Sequence, residues 1–251
     1  MTDRFLARKT IALSVSDSPD LARLGMSPRA LDHAVIEIAR YLLRAGATIA
    51  YGGDLRDSGF TIALFELVRR YRRDDPDAPP LRNYLAWSVH QRYEPAFIES
   101  KRKEYTGAAK IILLDRDGDD ATQSLTSMRR RMAADTHARV LLGGKVTGFS
   151  GAYPGIAEEA AVTLEQNKAL LLAGGFGGCT RDIASWLGFG GPWERSLADV
   201  GAEWQQRYFA GMEQVKSAQI APLPDENHTL ADCRNLPQII RLVLQALARL
   251  P

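Results

Sequence analysis

The sequence predicts an α/β protein: an open, doubly wound, mostly parallel sheet with helices on both faces and extra helices at the C-terminus. Three observations predict it. Short apolar segments alternate with segments of helical periodicity through residue 190, the pattern of parallel strand–helix–strand units. Three of the apolar segments end in a glycine pair, at 52–53, 143–144 and 174–175. No internal repeat, low-complexity run or cysteine framework points to another architecture. The 251 residues are enough for one full core, so a single domain over 1–251 is expected, with its core at about 9–190 and a helical extension at about 191–251.

The first strand is expected at 10–15 (TIALSV), running into Ser16-Asp17-Ser18-Pro19. A helix follows: Ser27 suits its cap, Pro28 its first turn, Leu31, Val35, Ile38, Leu42 and Leu43 form one stripe, and Gly46 stops it. A second strand at 48–51 leads to a helix over 60–73, then a Pro-rich surface loop at 74–80. Apolar runs predict strands at 81–89, with Trp87 in its core, and at 110–114, with a rim helix at 92–105 between them. The acidic turn 115–120 lacks the ligand spacing of a Ca²⁺ loop. Helices at 124–136 and 154–166 flank a strand at 138–142, and another strand lies at 169–173. Helices at 180–187, 198–217 and 236–250 complete the chain, the last with an apolar face that suits either the core or an interface between copies.

Composition narrows the partners. With 32 basic against 30 acidic side chains the formal charge is +2, which argues against specific nucleic-acid binding and against a membrane surface. The balance hides 25 arginines against 7 lysines. Codon bias accounts for most of that excess, while a few arginines near glycine loops suit planar contacts to phosphate. Cys179 and Cys233 are the only cysteines, there is no long apolar run at the N-terminus, and no stretch approaches a membrane span. A cytoplasmic protein is expected. The four histidines are scattered and no G-x-S-x-G segment occurs, so neither a metal nor a serine-hydrolase elbow is expected, and no cofactor.

Ligands of open α/β sheets bind beyond the carboxyl ends of the strands, where strand order reverses. The glycine pairs therefore mark the candidate site. After the second strand, Gly52-Gly53-Asp54-Leu55-Arg56 lacks dinucleotide and P-loop spacing. Asp54 suits a ribose hydroxyl and Arg56 a phosphate, or the two pair with each other. The segment 143–159 (GGKVTGFSGAYPGIAEE) carries five glycines, Gly143, Gly144, Gly148, Gly151 and Gly155, with Lys145 as a further donor. Glu158 and Glu159 fall in the first turns of the next helix, where the helix dipole alone would favour them. They equally suit ribose hydroxyls or general-base work. Tyr51, Trp87, Phe149 and Tyr153 are candidates for stacking on a base.

Three stretches together resemble the SLOG superfamily: ALSVSDSPDL with the helix after it, AYGGDLRDSGFT at 50–61, and LLGGKVTGFSGAYPGIAEEA at 141–160. This Rossmann-like group includes the Lonely Guy phosphoribohydrolases, the DNA-processing protein DprA and nucleotide-sensing modules. The chain is most similar to its prokaryotic branch related to the sensor region of melastatin-type channels, over roughly 9–190. The resemblance implies a nucleotide-derived ligand such as a nucleotide, ADP-ribose or cyclic ADP-ribose, signalling in antiviral defence, and a homodimer or higher homo-oligomer. No effector segment is recognisable after Gly190. The hydrolase members carry a Met-x-x-Arg helix and a glycine loop closing on a glutamate. Met128-Arg129-Arg130-Arg131 resembles the first part and singles out Arg131; Gly143-Gly144 and Gly155 with Glu158 or Glu159 resemble the second. Leu142 and Ile156 depart from the hydrolase pattern, and several residues are inserted.

Two principal expectations follow. A binding module would use Ser14, Ser16 and Asp17 at the first strand, Gly52, Gly53, Asp54 and Arg56 at the second, and Gly143, Gly144, Lys145, Gly148, Gly151 and Gly155 around phosphates. An N-glycosidic hydrolase would add Arg131 as phosphate clamp and Glu158 or Glu159 as the group acting at the ribosyl centre. A third reading is a structural subunit with a vestigial pocket.

Overall fold

The computed structural model describes residues 4–56, 59–75, 78–118 and 120–250. Parts of three expected segments lie outside them: 57–58 of the loop after the second strand, 76–77 of the Pro-rich loop and 119 of the acidic turn.

The elements run β1 (Thr10–Ser16), α1 (Ala30–Arg44), β2 (Thr48–Gly52), α2 (Phe60–Val68), β3 (Leu81–Leu85), α3 (Trp87–His90), α4 (Pro95–Glu104), β4 (Ala109–Leu113), α5 (Ala121–Ala134), β5 (Ala138–Gly143), α6 (Gly155–Glu165), β6 (Ala169–Ala173), α7 (Gly178–Trp186), α8 (Leu197–Val200), α9 (Ala202–Ala218), α10 (Asn227–Leu230) and α11 (Leu236–Leu247). All six strands are parallel, in the order β4-β3-β2-β1-β5-β6. The chain winds outward from β1 to β4, then returns to the other side of β1 for β5 and β6. This is the doubly wound, Rossmann-like α/β fold, and its reversal falls between β1 and β5.

Strand alternation explains the layers. Ile11, Leu13 and Val15 of β1, with Val140 and Leu142 of β5, bury against α1, α2 and α11 in one core. The opposite parity faces the other layer. There Ala12 and Ala50 are small enough to seat Met128 and Met132 of α5. Leu141, Leu170 and Leu172 pack under α6 and α7, and Tyr208, Met212 and Val215 of α9 close over α6. Helix α6 is thus buried from Ile156 through Leu164. Its glutamates must find partners in the interior.

The structure corrects several boundaries. The expected strand 81–89 ends at Leu85, and Trp87 opens a helical turn at the sheet rim. An apolar run continued past the strand end because that turn also packs inward, with Ser88 buried. Helix 60–73 finishes as a 3-10 turn at Arg69–Tyr71. Ser27 makes no side-chain cap; α1 starts after Arg29. The expected helix 198–217 breaks at Gly201, whose φ of 71° separates α8 from α9. The apolar face of α11 is covered within the chain, on the core that holds α1. Among the described residues no helix is long and apolar enough to cross a membrane.

Candidate functional site

At the reversal point, the loops after β1, β5 and β6 are tied together by the backbone. Gly143 and Gly144 adopt φ of 61° and 113°, a region side chains avoid. A Cβ on Gly144 would lie 2.8 Å from the Cys179 Cβ. The Gly144 N–H donates to the Ser16 carbonyl at 3.0 Å, and the Lys145 N–H to the Ser16 hydroxyl at 3.2 Å. The Cys179 N–H donates to the Gly144 carbonyl at 3.0 Å. These glycines therefore serve close approach between loops, and the N–H groups of Gly144 and Lys145 already have acceptors inside the protein. The third glycine pair serves packing too: a Cβ on Gly175 would run into the Cys233 carbonyl.

Beneath these loops, on the sheet face covered by α5 and α6, lies a buried ionic network. Arg139 of β5, with no exposed surface, donates from Nε to the Thr163 hydroxyl at 2.7 Å. Its Nη1 donates to the Ser14 hydroxyl at 2.6 Å and to the Glu159 carboxylate at 2.7 Å. Ser14 in turn donates to Glu159. Burial pushes the Arg139 guanidinium down from its usual range, and the Glu159 charge opposes that. Alongside, Arg129 of α5 pairs with Glu158, which also accepts from the Thr126 hydroxyl. Arg129 Nε stands 3.8 Å from Glu159. Two guanidinium groups thus balance two carboxylates. Among the described residues, Arg129 Nε and Arg139 Nη2 are buried donors that find no hydrogen-bond partner, a rarity in folded interiors. Tyr51, at the end of β2, is held protonated by burial and then by the Glu159 and Asp54 charges.

The sequence-predicted residues divide between this network and its surroundings. Ser14, Glu158 and Glu159 are inside it. Gly151 and Gly155 press on it: a Cβ on either would sit 2.9 Å from a terminal nitrogen of Arg129. Gly52 lies against Met128, and a Cβ on Gly53 would overlap Thr61 and the Tyr51 ring. Ser16 holds Lys145, as above. Asp17 is exposed, 3.7 Å from the Lys145 ammonium, and Gly148 is exposed at the loop tip. Asp54 and Arg56 pair with each other, with Arg56 mostly in solvent. Arg131 requires correction. It points outward, 60% exposed, and pairs with Asp135 at 2.9 Å. Successive helical residues turn by about 100°, and Arg129 is the member of the run that faces α6. Phe149 packs edge-on against Trp204, and Trp87 carries the Arg116 guanidinium.

Sequence reasoning missed Arg139, although a charge in a strand buried on both faces was a visible signal. It also missed a second cluster. Asp20, after β1, accepts from the Gly178 N–H at 2.6 Å and from both terminal nitrogens of Arg195 at 2.8 and 2.7 Å. Arg195 also donates to Asp182 of α7. Burial would raise the Asp20 carboxyl, but the hydrogen bonds from Arg195 and Gly178 outweigh it and hold the group below its ordinary value. This cluster fixes the segment before α8 to the strand ends.

A cavity of about 930 Å³ lies at the amino ends of β5 and β6 and is lined by Lys168, Ile220, Pro222 and Arg249. Lys168 is committed to the Ala133 and Ala134 carbonyls, and Arg249 to Glu226. The wrong end of the sheet and the engaged polar groups make it a poor ligand site. No group of three or more metal-ligating side chains is assembled among the described residues.

No curated protein matches the chain. A family model described as SLOG cluster2 matches residues 5–236, nearly the whole of the fold and all of the network just described. Membership of that family directs the reading of the site to nucleotide-related binding or processing. On that match, the chain belongs to the SLOG superfamily.

Proposed function

We propose that the protein binds a nucleotide-derived small molecule, of the nucleotide, ADP-ribose or cyclic ADP-ribose type, at the carboxyl ends of β1, β2 and β5. The observation that carries this reading is the pair of unpartnered buried donors, Arg129 Nε and Arg139 Nη2, beside Glu158 and Glu159 at the strand reversal. Guanidinium donors suit phosphate oxygens, and the paired carboxylates suit ribose hydroxyls. Arg129 takes the anion-binding place that the sequence suggested for Arg131. Calorimetric titration and thermal shift with AMP, ADP-ribose, cyclic ADP-ribose and NAD test it. A ligand at about a hundredfold its Kd stabilises the fold by about 2.7 kcal/mol, and Arg129→Met removes the effect. No stabilisation by any of the four at millimolar concentration refutes the reading.

A second reading, hydrolysis of an N-glycosidic bond, is favoured by two adjacent buried carboxylates in one site. Arg129 would hold the phosphate while Glu158 or Glu159 stabilises the ribosyl centre or takes a proton from water. Chromatography of free adenine released from AMP, or nicotinamide from NAD, tests it. Turnover that persists in a folded Glu158→Gln/Glu159→Gln variant excludes this mechanism.

A further inference from the structure

We infer that α9 latches the glycine-rich loop over the buried ion pairs through Arg207, which makes Arg207 the positioning residue that controls access to the site. The inference rests on the ligand reading only for what passes through the gate.

Residues 144–154 have no regular secondary structure. Their inner side lies on the Arg129–Glu158 pair: a Cβ on Gly151 would sit 2.9 Å from Arg129 Nη1 and 3.2 Å from Glu158 Oε2. Arg129, Glu158 and Glu159 are 8%, 3% and 9% exposed. A ligand reaches these groups only when the loop moves. On the outer side, α9 holds it. Arg207 donates from Nε to the Ala152 carbonyl at 3.1 Å and from Nη2 to the Gly151 carbonyl. Its guanidinium also stacks 4.8 Å from the Phe149 ring and 5.2 Å from the Trp204 ring. Trp204 meets Phe149 edge-on at 4.7 Å. Gly211 lets α9 come this close, since a Cβ there would sit 3.0 Å from Tyr153 and 3.1 Å from Pro154.

Among the described residues, the Arg207 contacts are the only hydrogen bonds that tie 146–153 to any other segment. Val146 at one end and Pro154 at the other are buried, so the segment between them can hinge. A loop rich in glycine, anchored apolar at its ends and held in its middle by Arg207 and the Phe149–Trp204 contact, belongs to the low-stability part of a fold. Its opening is governed by the contacts that Arg207, Phe149 and Trp204 make.

Hydrogen exchange on the ligand-free protein tests the latch directly. Losing two hydrogen bonds from a charged donor raises opening about tenfold or more. Arg207→Ala is therefore expected to speed amide exchange in 146–153 by that factor, while 157–164 and 203–217 keep their protection. Arg207→Lys restores part of it, and Glu213→Ala, exposed elsewhere on α9, behaves as the parent. Modification of Arg129 by phenylglyoxal, followed by peptide mass, rises in Arg207→Ala by a similar factor. Unchanged exchange in 146–153, equal loss of protection throughout α9, or unchanged Arg129 reactivity overturns the latch. Stopped-flow association of AMP adds the ligand arm: the rate rises in Arg207→Ala if the loop is the gate, and an unchanged rate with bound AMP overturns it. If AMP binds neither protein while exchange and modification behave as expected, the latch stands and the ligand reading fails.

Discussion

Replacing Glu159 by Gln removes one negative charge from a site in which Arg139 has no exposed surface. Arg139 then keeps only neutral acceptors, the hydroxyls of Ser14 and Thr163 and the new amide oxygen. Breaking a buried pair by removing one partner costs about 3–5 kcal/mol, because the other charge stays uncompensated. In a chain of this size about 1 kcal/mol shifts Tm by about 2–4 °C, so Glu159→Gln is expected to lower Tm by about 6–20 °C, toward the lower end because Gln still accepts a bond. Urea denaturation followed by circular dichroism gives the same difference as a shift in midpoint at constant slope. Arg139→Met leaves Glu159 buried without its Arg139 partner and falls by a similar amount. The double variant Arg139→Met/Glu159→Leu has nothing left to neutralise and should sit well above the sum of the two losses. If Glu159→Gln stays within 1 kcal/mol of the parent, or if the double variant equals that sum, the account of this network as a coupled interior charge pair is wrong.

Other outcomes follow from the same contacts. Arg129→Ala should destabilise by about 3 kcal/mol or more, whereas Arg131→Ala, which loses only a surface pair, should change stability by less than about 0.5 kcal/mol; equal effects in denaturant titration would reverse the assignment. Gly144→Ala, strained at φ 113° and overlapping Cys179 and Ile156, should cost about 2 kcal/mol or more, against about 1 kcal/mol for Gly148→Ala, which is strained but faces open space. Asp20 has a lowered folded pKa, so its contribution is full above the ordinary carboxyl value of 3.8 and disappears as pH falls through the folded value. Asp20→Asn should therefore unfold more easily than the parent at pH 7, with the gap closing below pH 3.8; a gap that widens in acid contradicts the sign.

Much of the scaffold is legible in one dimension. Strands buried on both faces read as short apolar runs, and five of the six lie within a residue or so of their expected limits. The sixth, β3, is shorter than its apolar run because apolarity does not distinguish its end from the turn of α3 packed at its rim. The site was harder. Three consecutive arginines are equivalent in a sequence, and the family resemblance favoured the last. Met128 and Met132 lie over Ala12 and Ala50, but on the helical wheel Arg129 and Arg131 flank that pair equally; Arg129 is buried because α6 packs on its side of α5 and presents Glu158. Arg139 does not stand out in sequence because its neighbours Ala138 and Val140 already define the strand. Glycine pairs at strand ends suggest phosphate cradles, but Gly144 and Gly175 answer to the loops they touch, which a sequence does not display.

Ser14 and Glu159 are 145 positions apart, and Ser14 and Arg139 are 125 apart. Both strands precede Glu159 in the chain, so β1 paired with β5 carries Ser14 and Arg139 as a polar seam in an otherwise apolar face until α6 docks on it. Among the described residues, α6 is the helix that brings two adjacent acids to that seam, with Glu159 on Arg139 and Glu158 on Arg129. Closing so long a span adds only about 0.6 kcal/mol per doubling in length, small beside the cost of an uncompensated buried charge. The ionic network thereby bears on which helix covers the seam: another helix docked on β1 and β5 would leave the Arg139 charge buried without Glu159, at a cost of about 3–5 kcal/mol.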